Sequence, residues 1–482
     1  MLHTVHLLSI CITLALVTVL GIYAAKQVKS ANDFSVGGRR LGTVLISSSL
    51  VGAFVGGTST VGTAQVAYLY GISGIWFTLG AGLGCFFLAS TLARPLREAE
   101  VETIPQLFET YYGRAAAVWS TFFISIGIII QIAAQILSAI PMLIIIFNLN
   151  TLNAAIFFSF IIILYSIWGG MWSTGLVGLI KTFLLITTLL IAGFLGFNQV
   201  GDIGGLINGI GNDSWFTLFP HGLINEVGAV ISVIIGFVST QTYLQIIFSA
   251  KTVKEAQTGA LIAGLLIPLT GIASTFIGIY MRITFPDIDP TFALPLFLIN
   301  YLNPWLGGIA LATLIISLVM TAAALTLGAT TIITNNIYKV FKPYTTDKEL
   351  LSAFRIFNVL IVLFILLFVS SKANSLILQW AFLSMAIRGV AIFLPLVAVI
   401  FVKEKINRES GKWAIIIAPT ISIIWALFGD RQIDPLYPGL IISFLILAIG
   451  SYQNFKFDRA LYFFRRLYLL HQKGNMKKME KE

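Results

Sequence analysis

Polar groups able to hold an ion or a small solute lie inside stretches that are otherwise apolar enough for lipid. The run Ser47–Gln65 gathers glycine and hydroxyls at its middle, with Gly52, Gly56, Gly57, Thr58, Ser59, Thr60, Gly62 and Thr63. Each glycine lowers helix propensity by roughly 1 kcal/mol relative to alanine, and a break there frees carbonyls for a cation or polar solute. Small residues spaced as Gly52 and Gly56 also suit close helix packing, so both readings stand. A second interruption runs from Gly236 to Tyr243 through Ser239, Thr240, Gln241 and Thr242. A third polar stripe, Ser317, Met320, Thr321, Ala324 and Gly328, recurs at helical spacing. A hydroxyl such as Thr321 either bonds back to its own helix or offers an oxygen to the broken segment.

Two cations sit within apolar stretches, Lys181 and Arg388. Lys181 is only about 10 Å into its stretch, so its stem either snorkels to the headgroups or turns inward beside Gly175 and Gly178. Arg388 falls near the midplane, where an unpaired charge is costly and arginine does not neutralise. No Asp or Glu lies near the centre of any apolar stretch. Two buried cations without a buried acid imply that the anion arrives with a solute, expected to carry a carboxylate. The alternative is a guanidinium bonded to helix carbonyls as structural glue. Gln131 and Gln135 are one turn apart and face one side of a helix, which must be the protein interior. With Thr58, Ser59, Thr240, Gln241 and Arg388 they make the candidate solute-binding set; hydrogen bonding between helices is the other reading.

These residues must be positioned by membrane-crossing helices. Thirteen apolar stretches fill the 482 residues, at about 5–25, 43–70, 73–93, 115–147, 152–170, 174–199, 227–249, 258–280, 304–338, 351–371, 376–402, 413–429 and 436–452. A bilayer core about 30 Å thick takes roughly 20 helical residues to cross. The expected fold class is therefore an all-α, multi-pass cell-membrane protein whose partners are lipid and a small-molecule solute. Twenty-five of the thirty Lys and Arg fall on one side of this arrangement. By the positive-inside rule the N-terminus is outside and the C-terminus cytoplasmic. The net charge of +10 then belongs to loops and a tail facing anionic headgroups, not to nucleic-acid binding.

Cys11 and Cys85 lie in separate stretches and give neither a disulfide framework nor a metal cluster. Residues 1–6 carry no Lys or Arg, so the first stretch reads as a retained helix, not a cleaved signal. No hydrophilic connection is long enough for a separate core. An intramembrane enzyme is disfavoured: no stretch holds His-Glu-x-x-His or paired carboxylates, and His3, His6, His221 and His471 are terminal or in loops. A channel and a non-transporting sensor remain as rivals. The two interruptions each open a set of five stretches, and five is odd, so the sets run antiparallel as in an inverted-repeat transporter.

Four blocks, taken in order, resemble the solute:sodium symporter family over nearly the whole chain. They are Asn32–Gly42, Glu102–Glu109 with Tyr112 and Gly113, Ser249–Ala256, and the block ending Asn336-Ile337-Tyr338-Lys339. Gly56-Gly57 followed by Tyr68 and Gly71 is most similar to the choline-type branch. The resemblance implies a LeuT-type core in a single transporter domain. Residues 1–26 form an extra N-terminal helix, 40–199 and 227–402 the two repeats, 413–452 two C-terminal helices and 453–482 a basic tail. It implies cation-coupled symport by alternating access with no enzyme chemistry.

The family's conserved sodium site would fall on the carbonyls of Gly52, Val55 and Ser317 and the hydroxyl of Thr321. The second hydroxyl expected before Thr321 is Met320, which removes an oxygen ligand. The Thr-Asp pair and the glutamine expected in the sixth stretch correspond to Val177, Gly178 and Lys181. Lys181 is thus expected to replace or modulate the ion. A lysine, unlike sodium, can give up a proton, which makes H+ the alternative to Na+ as the coupled ion.

Overall fold

The protein, seen in a computed structural model, is described over residues 3–26, 28–200, 213–369, 376–402, 406–430 and 433–451. The basic tail 453–482 and Lys372, Lys403, Lys405 and Arg431 lie outside the described residues. Among the described residues the chain is helical, and the one bridge outside the helices pairs Leu41 with Ala250. Among the described residues nine helices are long and apolar enough to cross a bilayer, and a tenth is added if one bent pair is counted as a single span. Shorter apolar helices cover Thr43–Phe54, Thr151–Ile167 and Leu436–Ser451.

Helix α1 is Thr4–Ala25, α2 Thr43–Phe54 and α3 Thr63–Tyr70. The stretch expected as one crossing over 43–70 is thus divided, because Val55 leaves the helix with φ −75° and ψ 95° just before the glycine pair. After α3 the chain turns at Gly71, whose φ is 72°, and continues through α4, Trp76–Phe87. Helix α5, Ile104–Tyr112, begins in a capping box: Thr103 accepts from the Gln106 amide, while Gln106 accepts from the Thr103 amide. Helix α6 is Arg114–Phe147. The stretches expected at 152–170 and 174–199 are two helices, labelled together α7, Thr151–Val200, that meet at a kink at Gly170. There φ is 53°, a region that suits glycine, and an added Cβ would lie within 3.0 Å of Phe34.

The second interruption separates α8, Leu223–Phe237, from α9, Gln241–Phe248, with a bend of 42°. Then follow α10 (Val253–Thr284), α11 (Pro304–Ile333), α12 (Asp347–Val369), α13 (Ile377–Val397) and α14 (Arg408–Phe428). Helix α11 starts with Asn303 as cap and Pro304 at its first position, and every residue from Ala310 to Ile332 is buried. It packs against α1, α6 and α7, while α10 packs against α2, α3, α4 and α7. Where α11 meets α2, the walls of the site converge.

Candidate solute and cation site

The first break is held open by hydrogen bonds that replace the lost helical ones. The Gly56 amide donates to Ser59 Oγ at 2.9 Å, and the Gly57 amide donates to Gln135 Oε1 at 2.7 Å. Thr60 Oγ1 donates to the Gly56 carbonyl at 2.7 Å. No side chain fits in place of the glycines. A Cβ on Gly56 would come within 2.5 Å of Gln135 Oε1, and one on Gly57 within 2.2 Å of Ser138. Both readings of the glycine pair therefore hold together: the backbone is interrupted, and neighbouring helices close in on it.

The carbonyls freed at the end of α2 turn toward α11. Ser317 Oγ donates to the Val55 carbonyl at 2.7 Å, and Thr321 Oγ1 lies 3.0 Å from the Gly52 carbonyl and 3.2 Å from that of Val55. Lys181 reaches this group from α7 and does not snorkel; it is 1% exposed. Its Nζ donates to the Gly52 carbonyl at 2.6 Å, to the Ser317 carbonyl at 3.1 Å and to Thr321 Oγ1 at 3.0 Å. Met320 points away from this cage, into an apolar cluster with Val17, Val177 and Ile316.

A second chain of hydrogen bonds runs from the break to α13. Gln135 Nε2 and Gln131 Nε2 both approach Thr58 Oγ1, at 3.2 and 3.5 Å, and Gln131 Oε1 lies 3.4 Å from Arg388 Nη2. Arg388 is wholly buried. Among the described residues its other contacts are uncharged, the Ser384 carbonyl at 3.0 Å and Met385 Sδ at 3.3 Å, and its Nη1 has no hydrogen-bond partner. Gly127 gives the stem its room, since a Cβ there would meet Arg388 Cγ at 2.4 Å. The two breaks meet through aromatic rings: Phe54 lies 5.7 Å from Phe237 and 6.0 Å from Tyr243, which stack on each other across the second break at 4.4 Å.

The remaining candidates build the scaffold. Ser59 lines the first break, and Thr240 Oγ1 bonds back to the Gly236 carbonyl at 2.6 Å. Gln241, expected at the solute, has both amide groups engaged elsewhere: Oε1 accepts from the Ile104 amide at 3.0 Å and Nε2 donates to the Glu102 carbonyl at 3.0 Å. It belongs to a polar layer on the face that carries the basic loops. There Glu102 Oε2 accepts from Ser35 Oγ at 3.0 Å and Asn335 Nδ2 at 3.1 Å. Gln245 Nε2 donates to the Ser35 carbonyl at 2.6 Å and approaches Thr331 Oγ1 at 3.1 Å. Asn336 joins the layer through Nδ2, which lies 3.2 Å from Thr103 Oγ1, and the motifs that hold Glu102 and Asn336 do not reveal the layer. A glutamate and several amides at helix ends were its only signal. On the opposite face lies a cavity of about 570 Å³, lined among others by Trp76, Phe77, Phe382 and Trp425.

Comparison with known proteins agrees with this architecture. The osmoregulated proline transporter OpuE of Bacillus subtilis (strain 168) is 23% identical over 456 residues, covering 90% of this chain and 91% of the relative. The high affinity choline transporter 1 of Homo sapiens is 25% identical over 398 residues, covering 73% and 66%. Among solved structures, the substrate-bound outward-open state of a Na+-coupled sialic acid symporter aligns with a TM-score of 0.79 at 15% identity, covering 93% of this chain and 97% of that one. A nucleobase-cation-symport-1 family transporter in a closed conformation aligns at 0.55 and 10% identity, covering 87% and 95%. The shared fold is the LeuT type of transporter. The sodium:solute symporter family matches residues 34–418, and the chain is a member of that family.

Proposed function

We propose that the protein is a secondary transporter that moves a small polar solute bearing a carboxylate across the membrane by alternating access. The chain would cross the bilayer thirteen times, with two antiparallel sets of five helices opened by the two breaks, and with its basic face in the cytoplasm. The observation that carries the solute class is Arg388: a buried guanidinium with, among the described residues, only uncharged partners and a free Nη1, tied through Gln131 and Thr58 to the first break. A carboxylate would complete it, because a planar fork binds two carboxylate oxygens at once. The polar layer around Glu102 and the cavity on the opposite face support a cycle in which one side is sealed while the other admits solute.

The test is uptake into proteoliposomes of a labelled panel containing L-proline, lactate, choline and myo-inositol, by the wild type and by Arg388→Lys. Saturable uptake of one or more carboxylates, weakened about tenfold or more in Arg388→Lys, supports the reading. Equal handling of choline or inositol, with Arg388→Lys indifferent, would remove it.

Sodium is the coupling ion expected from the family. A second reading, in which transport is sodium-independent or proton-coupled, is favoured by one observation, the Lys181 ammonium among the oxygens of the cation cage.

A further inference from the structure

The geometry points to Lys181 as the resident cation of the cage: we propose that its tethered ammonium does permanently what a sodium ion would do, so that the transport cycle draws no sodium through this site. The inference rests on the reading of the chain as an alternating-access transporter of its family. It goes further by assigning the ligand of the cage to the chain itself.

Three features of the cage argue against sodium. An ammonium has three N–H donors, and Nζ has three oxygen partners within 3.1 Å, the carbonyls of Gly52 and Ser317 and the hydroxyl of Thr321. Those oxygens are three of the four a sodium ion would need there, the Val55 carbonyl being the fourth, and two cations cannot share them without strong repulsion at such distances. The donor set is also depleted, since Met320 packs with Val17, Val177 and Ile316 and contributes no oxygen to the cage.

The surrounding helices are shaped to deliver the ammonium. Helix α7 lies backbone to backbone on α2 at Gly178 and Gly52: a Cβ on Gly52 would come within 3.2 Å of Gly178 Cα, and one on Gly178 within 3.0 Å of the Ser48 carbonyl. Ser48 Oγ donates to the Gly175 carbonyl at 3.2 Å in the same contact. Lys181 is three residues beyond Gly178 and therefore shares its helix face. Its stem crosses directly from this close contact to the end of α2. Val177 turns the other way, into the apolar cluster with Met320. Gly178, Lys181, Val177 and Met320 thus form one coordinated replacement: helix approach, tethered cation and apolar filling. The ammonium links α7 to both walls of the cage, α2 and α11, which is the work of an ion that stabilises the broken helix.

The experiment measures sodium binding directly and needs no knowledge of the solute. Purified wild type, Lys181→Ala and Lys181→Gln are compared for binding of radioactive 22Na+ and for thermal melting in NaCl against KCl. The wild type is expected to bind no sodium in the cage and to melt alike in both salts. At least one variant is expected to gain saturable 22Na+ binding and a rise in melting temperature specific to sodium, both abolished by adding Thr321→Ala. Saturable sodium binding by the wild type that is lost in Thr321→Ala would overturn the proposal. So would silence in the folded variants, since an emptied cage that ignores sodium was never a cation site. Failure of carboxylate uptake under every gradient would instead remove the transport reading and leave the sodium result standing.

Discussion

Gln131 Oε1 stands 3.4 Å from Arg388 Nη2 while the amide nitrogen of the same side chain lies 3.5 Å from Thr58 Oγ1. One glutamine thus joins the buried guanidinium to the first helix break. Replacing it with glutamate would supply Arg388 with a carboxylate from within the chain. Gln131→Glu should melt at a higher temperature than the wild type and bind a carboxylate solute about tenfold more weakly or worse. A variant that binds the solute normally would mean that Arg388 is not its partner.

The glycine pair should tolerate no enlargement. Gly57 has ordinary helical angles, φ −63° and ψ −38°, so the obstacle to Gly57→Ala is space alone, with Ser138 at 2.2 Å and Leu318 at 2.4 Å from the new Cβ. Overpacking of this kind costs about 1–3 kcal/mol. Chemical or thermal unfolding should show that loss. At Gly62 the nearest atom is Ile377 Cγ2 at 3.1 Å, and Gly62→Ala should cost clearly less.

In the proposed transport cycle the polar layer on the basic face would be what Gln241 and Glu102 hold closed. Gln241 ties α9 to the start of α5, and Glu102 ties Ser35 to Asn335. Gln241→Leu and Glu102→Ala should each favour opening toward that face. A cysteine introduced at buried Ser239 should then react severalfold faster with a thiol reagent applied from the basic side. An unchanged rate would show that the layer does not hold the face shut.

Outside the crossing helices, burial raises the carboxyl of Asp434 from 3.8 to about 6, against a lowering contribution from the Leu436 amide that it accepts at 2.8 Å. A carboxyl raised in the folded state binds its proton more tightly there than in the unfolded chain. Stability should therefore fall as pH rises from about 4 to about 6, and level off above. Asp434→Asn should flatten that part of a melting-temperature profile, and an equal slope in both proteins would contradict the assignment.

Much of this was legible in the residues because the membrane makes polarity expensive. Gly56-Gly57 and Ser239-Thr240 sit at the actual breaks, and Arg388 is as buried as its position implied, while for Lys181 the structure decides between snorkelling and burial. What was not legible is direction. Spacing cannot tell which way Met320 turns, nor that Gln241 bonds to the start of α5, because both depend on how distant helices rotate against each other.

The central claim is that Lys181 fills the cation cage, and the direct measurement is the initial rate of solute uptake into proteoliposomes across a sodium series that begins in sodium-free medium. The wild-type rate should be independent of sodium throughout, while Lys181→Ala, if it transports, should acquire a saturable sodium requirement. A wild-type rate that vanishes without sodium and is equally sodium-dependent in Lys181→Ala would contradict it.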